Sequence, residues 1–163
     1  TIFRKSKFIM VNETQEIEIK DLNIHNCDLI QILQQDQYVQ RWKQDQLILF
    51  LKKKQIQGLI LFKNTKPIGY CLFRKLINEA EILSIEILKK YRKKNYGLIL
   101  FLKLEKIFLD LKVSKVFLEV SEKNLIARNF YGKLGFICKR TIKNYYKICN
   151  SSQNGLLLQK TYF

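Results

Sequence analysis

Apolar and polar residues alternate through EIEIKDL (16–22), the period of a strand with one covered face. The spacing changes in NCDLIQILQQ (26–35), where apolar residues recur every three or four positions, so the pattern predicts a helix with Asn26 as its cap. A second helix is predicted over QRWKQDQLILFLKKK (40–54), carrying Trp42, Leu47, Phe50 and Leu51. GLILFKNTKPIGYCLFRKL (58–76) reads as two strands joined by the turn residues Asn64, Thr65, Lys66 and Pro67, a hairpin. EAEILSIEIL (79–88) is a third strand in succession, followed by a charged turn and a helix over about 95–111. SKVFLEVS (114–121) is a strand, NLIARNFYGKL (124–134) a short helix that Gly135 stops, and FICKRTI (136–142) and GLLLQKTYF (155–163) the last two strands. A strand with two helices, a run of antiparallel strands and then strand–helix units imply the α/β class, with a mixed sheet covered by helices on both faces.

Composition narrows the setting. A chain of 163 residues with one proline and six glycines offers no linker at which to divide, so a single domain over 1–163 is expected. The longest apolar runs, LILFL and GLILF, fall far short of the roughly 18 residues a membrane span needs. No secretory cleavage pattern is present in TIFRKSKFIMV, and a soluble, cytoplasmic protein without membrane contact is the expectation. Cys27, Cys71, Cys138 and Cys149 are scattered without CxxC pairs, and His25 is the single histidine. Neither a zinc site nor a disulfide scaffold fits that spacing; reduced, mostly buried thiols and a surface or capping His25 do.

The formal net charge of +16 admits two readings. One is a footprint for RNA, the ribosome or another polyanion; the other is a global bias toward lysine, with solvated faces carrying the charge. The run KKYRKKNYG (89–97) is distinguished by its place, between an apolar strand and an apolar helix. A helix that starts there presents unpaired N–H groups and the positive end of its dipole, a ready anion site. Gly97 would let a ligand approach the backbone, while Arg92, Lys93 and Lys94 add diffuse positive charge.

Downstream lies VFLEVSEKNLIARNFYGKLGF (116–136), and with RKKNYG it resembles the GCN5-related N-acetyltransferase (GNAT) superfamily. Arg92 and Gly97 match the ends of that family's acetyl-CoA loop, and Asn124, Ala127 and Tyr131 with YGKLGF match its second signature. The loop's first glycine is Asn95 here, and Asn is the residue that best tolerates the left-handed conformation after Gly. Within the superfamily, LEVSEKN, ARNFYGKLGF, IKNYY and Trp42 resemble the ribosomal-protein-alanine N-acetyltransferases, which acetylate protein N-termini. The resemblance implies an acyl-CoA N-acyltransferase fold with a mostly antiparallel, twisted sheet and an acetyl-CoA core over about 79–136.

It also implies a chemistry and a set of roles. An amine loses a proton and attacks the thioester of acetyl-CoA directly, so no metal and no covalent enzyme intermediate are needed. Tyr131 corresponds to the family's general acid, or is an aromatic anchor beside Phe130 and Phe136. Glu119 matches the base position of the N-terminal branch and, by alternation, faces away from Val116, Leu118 and Val120. Flanking by apolar residues predicts an apolar setting for it; Glu81, Glu86 and a water relay are the alternatives. Ile85, Ile87 and Leu88 would orient the pantetheine and thioester, and the main chain from Arg92 through Lys93, Lys94, Asn95, Tyr96 and Gly97 to Leu98 the pyrophosphate. Asn124 would reach the pantetheine arm, cap a helix, or do both. Trp42, Tyr145 and Tyr146 would receive the acceptor, the two tyrosines from a loop over it, unless they are merely exposed aromatics. The acceptor amine would be a protein N-terminus such as that of a ribosomal protein; a lysine side chain, a small amine, or a degenerate basic domain on RNA are the other readings.

Overall fold

The computed structural model describes residues 16–34, 41–148 and 151–163. Seven strands form one sheet: β1 (Ile17–Leu22), β2 (Ile56–Lys63), β3 (Lys66–Lys75), β4 (Glu79–Ile87), β5 (Lys115–Ser121), β6 (Ile137–Ile148) and β7 (Ser151–Thr161), in the order β1-β2-β3-β4-β5-β7-β6. Every neighbouring pair is antiparallel except β4–β5, which is parallel. Helices α1 (Leu29–Leu33) and α2 (Gln44–Leu51) pack on one face, with Ile30, Leu33 and Leu47 buried against Ile60, Tyr70 and Leu72. On the other face α3 (Tyr96–Asp110) and α4 (Leu125–Lys133) bury Leu100, Phe101, Leu104, Phe108 and Tyr131 against Cys71, Phe73, Ile82, Val116 and Leu118. This is the mixed, two-sided architecture read from the apolar periods. Among the described residues, no helix is long and apolar enough to cross a membrane.

Several expected boundaries move, each for a local reason. The first helix is only five residues long and starts behind Asp28, whose side chain makes no cap. Asn26 is already engaged, accepting from the Asn23 N–H at 2.8 Å and donating to the Asp21 carbonyl at 2.9 Å, so it braces the preceding turn. The second helix spans less than its pattern, and Trp42 precedes it. The hairpin turn is tighter than expected: Asn64 and Thr65, both at positive φ, make it, while Lys66 and Pro67 belong to β3. β6 and β7 are longer than expected, and residues 149–150 lie outside the described ones. A 3₁₀ turn, Lys89–Tyr91, opens the charged loop.

Gly135 ends α4 as anticipated. It adopts φ 88°, its N–H reaches the Gly132 carbonyl at 3.1 Å and the Phe136 N–H that of Tyr131 at 3.0 Å, a Schellman closure. Cys27 and Cys71 are buried, as expected of reduced thiols, but Cys138 is exposed on edge strand β6; Cys149 lies outside the described residues. His25 is exposed, in the turn ahead of α1.

Candidate active site

The sheet opens at its centre. The β4–β5 ladder holds for four residue pairs, Glu79↔Lys115 to Ile82↔Leu118, although β4 continues to Ile87 and β5 to Ser121. On its far side β4 carries an extra residue, Leu83, between the pairs Leu72↔Ser84 and Phe73↔Ile82. Such a bulge bends its strand. β5 meanwhile stays paired with β7 along its whole length, from Lys115↔Thr161 to Ser121↔Gly155. The two strands therefore splay into a wedge whose walls are Ser84–Ile87 and Glu119–Ser121.

Behind the wedge the charged loop leads into α3. Lys93 and Asn95 have φ 58° and 63°, so Asn95 takes the left-handed conformation its chemistry tolerates. No side chain caps α3, and its first hydrogen bond runs from the Ile99 N–H to the Asn95 carbonyl at 2.9 Å. The N–H groups of Tyr96, Gly97 and Leu98 thus stand ahead of the helical ladder at the positive end of a 15-residue helix. Arg92, though exposed, folds back on the strand: its Nε donates to the Ile87 carbonyl at 2.7 Å and a terminal nitrogen lies 3.7 Å from Glu86. That fastens the loop to the end of β4. At half-buried Gly97 a Cβ would meet Phe130 and Ile87 at ordinary contact distances of 3.6–3.8 Å.

Tyr131 lies on the α3–α4 side of the wedge, 8% exposed, its ring 5.2 Å from that of Phe130 and 5.5 Å from that of Phe136. Acid and anchor are compatible in this position. Burial, then the nearby Glu86 carboxylate, push its hydroxyl well above the ordinary tyrosine range, which keeps it protonated as a proton donor must be.

Glu119 is on β5, facing away from buried Val116, Leu118 and Val120 as the alternation requires. Its setting is not the apolar one expected: it is partly exposed and accepts a hydrogen bond from the Tyr145 hydroxyl. That bond, with burial and the Glu119 charge behind it, raises Tyr145 to about 12. Tyr146 is raised too, by burial first and by Glu119 second, and its ring stands edge-on to Tyr145 at 4.9 Å. Glu81 forms an ion pair with Arg74 on β3, and Glu86 pairs with Arg92.

The tyrosine pair comes from a strand, not from the loop expected. Opposite Asn154 of β7, β6 places three residues, Lys143, Asn144 and Tyr145, between the pairs Ile142↔Gly155 and Tyr146↔Gln153. Asn144 takes φ 53°, and its N–H is received by the Asn154 side chain at 3.1 Å. The Tyr145 ring then lies over Gly155, where any Cβ would come within 3.0 Å of it. Periodicity could not reveal this device; the visible signals were Asn144 and Gly155 themselves.

Asn124 caps α4, accepting from the Ala127 N–H at 3.1 Å. Trp42 sits in the α1–α2 layer, its ring 5.1 Å from that of Phe50 and its main chain clasped by buried Gln34 through bonds of 2.6 and 2.8 Å.

A wedge between parallel strand ends, with an uncapped helix N-terminus behind it, has the shape to take an extended chain ending in phosphates. The main chain here fits acetyl-CoA: N–H donors for the pyrophosphate at α3, and a strand edge for the amides of the pantetheine at β4. Comparison of structures gives the same fold in the ribosomal-protein-S18-alanine N-acetyltransferase from Escherichia coli, with TM-score 0.83, 18% identity, and 90% of this chain and 94% of that one covered. Arabidopsis thaliana NAA60 in complex with acetyl-CoA aligns at TM-score 0.79 and 17% identity, over 90% and 98% of the two chains. Arabidopsis thaliana Naa50 in complex with the bisubstrate analogue CoA-Ac-MVNAL aligns at 0.77 and 18%, over 90% and 99%. Comparison with curated protein sequences finds no match. The acetyltransferase (GNAT) family model matches residues 27–136, which takes in α1, the wedge, the loop and Tyr131. The chain belongs to the GNAT family and is an acetyl-CoA-dependent N-acetyltransferase.

Proposed function

We propose that the chain acetylates the α-amino group of protein N-termini, with Glu119 as base and Tyr131 as acid. The observation that carries the assignment is the placing of these two side chains on opposite sides of the β4–β5 wedge. Acetyl-CoA supplies an activated acyl group. Ile85, Ile87 and Leu88 hold its pantetheine and thioester along the free edge of β4. The N–H groups from Arg92 through Leu98 hold the pyrophosphate, and Asn124 meets the pantetheine arm while capping α4. Glu119 takes the proton from the acceptor ammonium, the amine attacks, and the Tyr131 hydroxyl protonates the departing sulfur. Glu119 suits the base role better than Glu81, which is held by Arg74, or Glu86, which is held by Arg92. Tyr145 and Tyr146 wall the acceptor path, and Trp42, in the same apolar layer as Leu88, closes its other side. The N-terminal reading over a lysine side chain or a small amine draws support from the fold likeness to enzymes that act on N-termini and from the tyrosine pair on Glu119.

The test is thiol release from acetyl-CoA with peptides whose only amine is the N-terminus, beside Nα-blocked lysine peptides and a polyamine. Turnover confined to free N-termini, abolished by Glu119→Gln and kept by Glu81→Gln, is the expected result. Equal or better turnover with the blocked lysine peptides sinks the proposal.

A further inference from the structure

The charge of this protein is not evenly laid out. From Lys123 to Phe163 the chain has eight Lys and Arg residues and not one Asp or Glu, so this quarter of the sequence carries half of the net charge of +16. The segment folds into α4, β6 and β7, the side of the wedge from which Tyr145 and Tyr146 project. Lys143 and Lys147 flank that pair on β6, both exposed, and neither has a carboxylate within 4.0 Å among the described residues.

Two of the carboxylates around the wedge are matched by arginines, and two accept from neutral groups. Glu81 is paired with Arg74, Glu86 with Arg92, and Glu119 receives Tyr145. Glu122, at the end of β5, holds the Asn154 side-chain amide at 3.1 Å and its main-chain N–H at 3.3 Å. Glu119, proposed to take the amine itself, and Glu122 keep their charge against neutral partners, while Lys143 and Lys147 add exposed positive charge along β6 that disfavours a basic acceptor beyond its first residue.

Reach fits as well. Lys143 and Lys147 stand two residues to either side of Tyr145, the first within the irregularity and the second along the paired strand, where two residues span about 7 Å. An extended acceptor advances roughly 3.3–3.6 Å per residue, so with its amine at Glu119 its second to fourth residues pass beside them. We propose that the acceptor is a protein N-terminus with acidic side chains in its first few residues, received by Lys143 and Lys147. This deepens the N-terminal acetyltransferase reading and rests on it. Lysines on an edge strand also deter edge-to-edge pairing. That role alone would not discriminate among acceptors.

The experiment compares peptides with an N-terminal alanine followed by two glutamates, two glutamines or two lysines, at equal length and saturating acetyl-CoA. The glutamate peptide should have the lowest KM, by roughly three- to tenfold against the glutamine peptide as two exposed ion pairs allow, with kcat little changed. High salt should erase the difference, since the screening length falls to about 3 Å near 1 M. The double variant Lys143→Gln, Lys147→Gln should raise the KM of the glutamate peptide to that of the glutamine peptide and leave the latter's turnover alone. A preference for the lysine peptide, no preference, or a preference that survives in the double variant overturns the proposal. So does a short RNA that binds through the same lysines while peptide charge has no effect, which assigns the patch to nucleic acid. Absence of turnover with every peptide sinks the N-terminal reading and this proposal with it, whereas turnover without charge preference sinks this proposal alone.

Discussion

Tyr131 is held between Phe130 and Phe136, so its hydroxyl is fixed by ring packing that a phenylalanine would keep. Tyr131→Phe should lower kcat by about 10²- to 10⁴-fold, the range for loss of a positioned general acid. Acetyl-CoA affinity, measured by calorimetry, should stay within about twofold; a large loss of affinity with kcat intact would make the residue an anchor and nothing more. The place of Tyr131 on a short helix, and of Glu119 on a strand facing away from its apolar neighbours, was legible in the sequence, whereas the roles proposed for them rest on the family resemblance. The partner of Glu119 was not legible, since Tyr145 lies 26 residues away and reaches it through a strand irregularity. The ion pairs Arg74–Glu81 and Arg92–Glu86 escaped notice for related reasons: the first depends on strand register and the second on a loop that folds back.

At the scale of elements, strong periods were read correctly where nothing local competed, as in α3 and the β2–β3 hairpin. They failed where side chains bonded to the main chain, as Asn26 does, or where bulges broke the alternation, as they do twice in β6. The charged loop ahead of α3 joins both cases: its left-handed residues were foreseeable at Asn95 but not at Lys93. Asn95→Val should destabilise the fold by about 1–2 kcal/mol, the cost of a left-handed conformation for a residue with a Cβ and no local hydrogen bond. It should weaken acetyl-CoA binding as well, because the N–H groups that follow would be misdirected. Asn95→Gly should keep or tighten binding. Urea titration and calorimetry on both variants check this, and a valine variant that binds as well as the parent would show that the loop's conformation is not what holds the phosphates.

Across the whole molecule, the core on the α3 face ties the two sides of the wedge together. Phe101 packs against Phe130 and Phe136, and Lys160 of β7 reaches Glu105 of α3 at 2.5 Å, each side chain 19% exposed. Three tyrosines set an alkaline limit, Tyr131 and Tyr162 through burial first and Tyr145 through its bond to Glu119 first. Tyr131, Tyr145 and Tyr162 are all raised in the fold from the ordinary 10.0, Tyr145 to about 12. Below pH 10 the folded and unfolded chains are both protonated at these groups and stability is intact. Above it the unfolded chain ionises first, so stability should fall progressively from about pH 10 to 12. Denaturation followed against pH checks the sign, and stability constant through that range would refute it. The four-pair ladder between β4 and β5 has a wider meaning. A sheet interrupted at its middle is completed by whatever lies in the gap, so acetyl-CoA bound there as proposed would act as a missing piece of secondary structure. Because only the folded chain can hold it, its free concentration adds to stability by mass action, about 2.7 kcal/mol at one hundred times the dissociation constant. In a starved cell the same polypeptide would be looser and more open to proteolysis, and its abundance would follow the supply of acetyl groups before any acceptor was met.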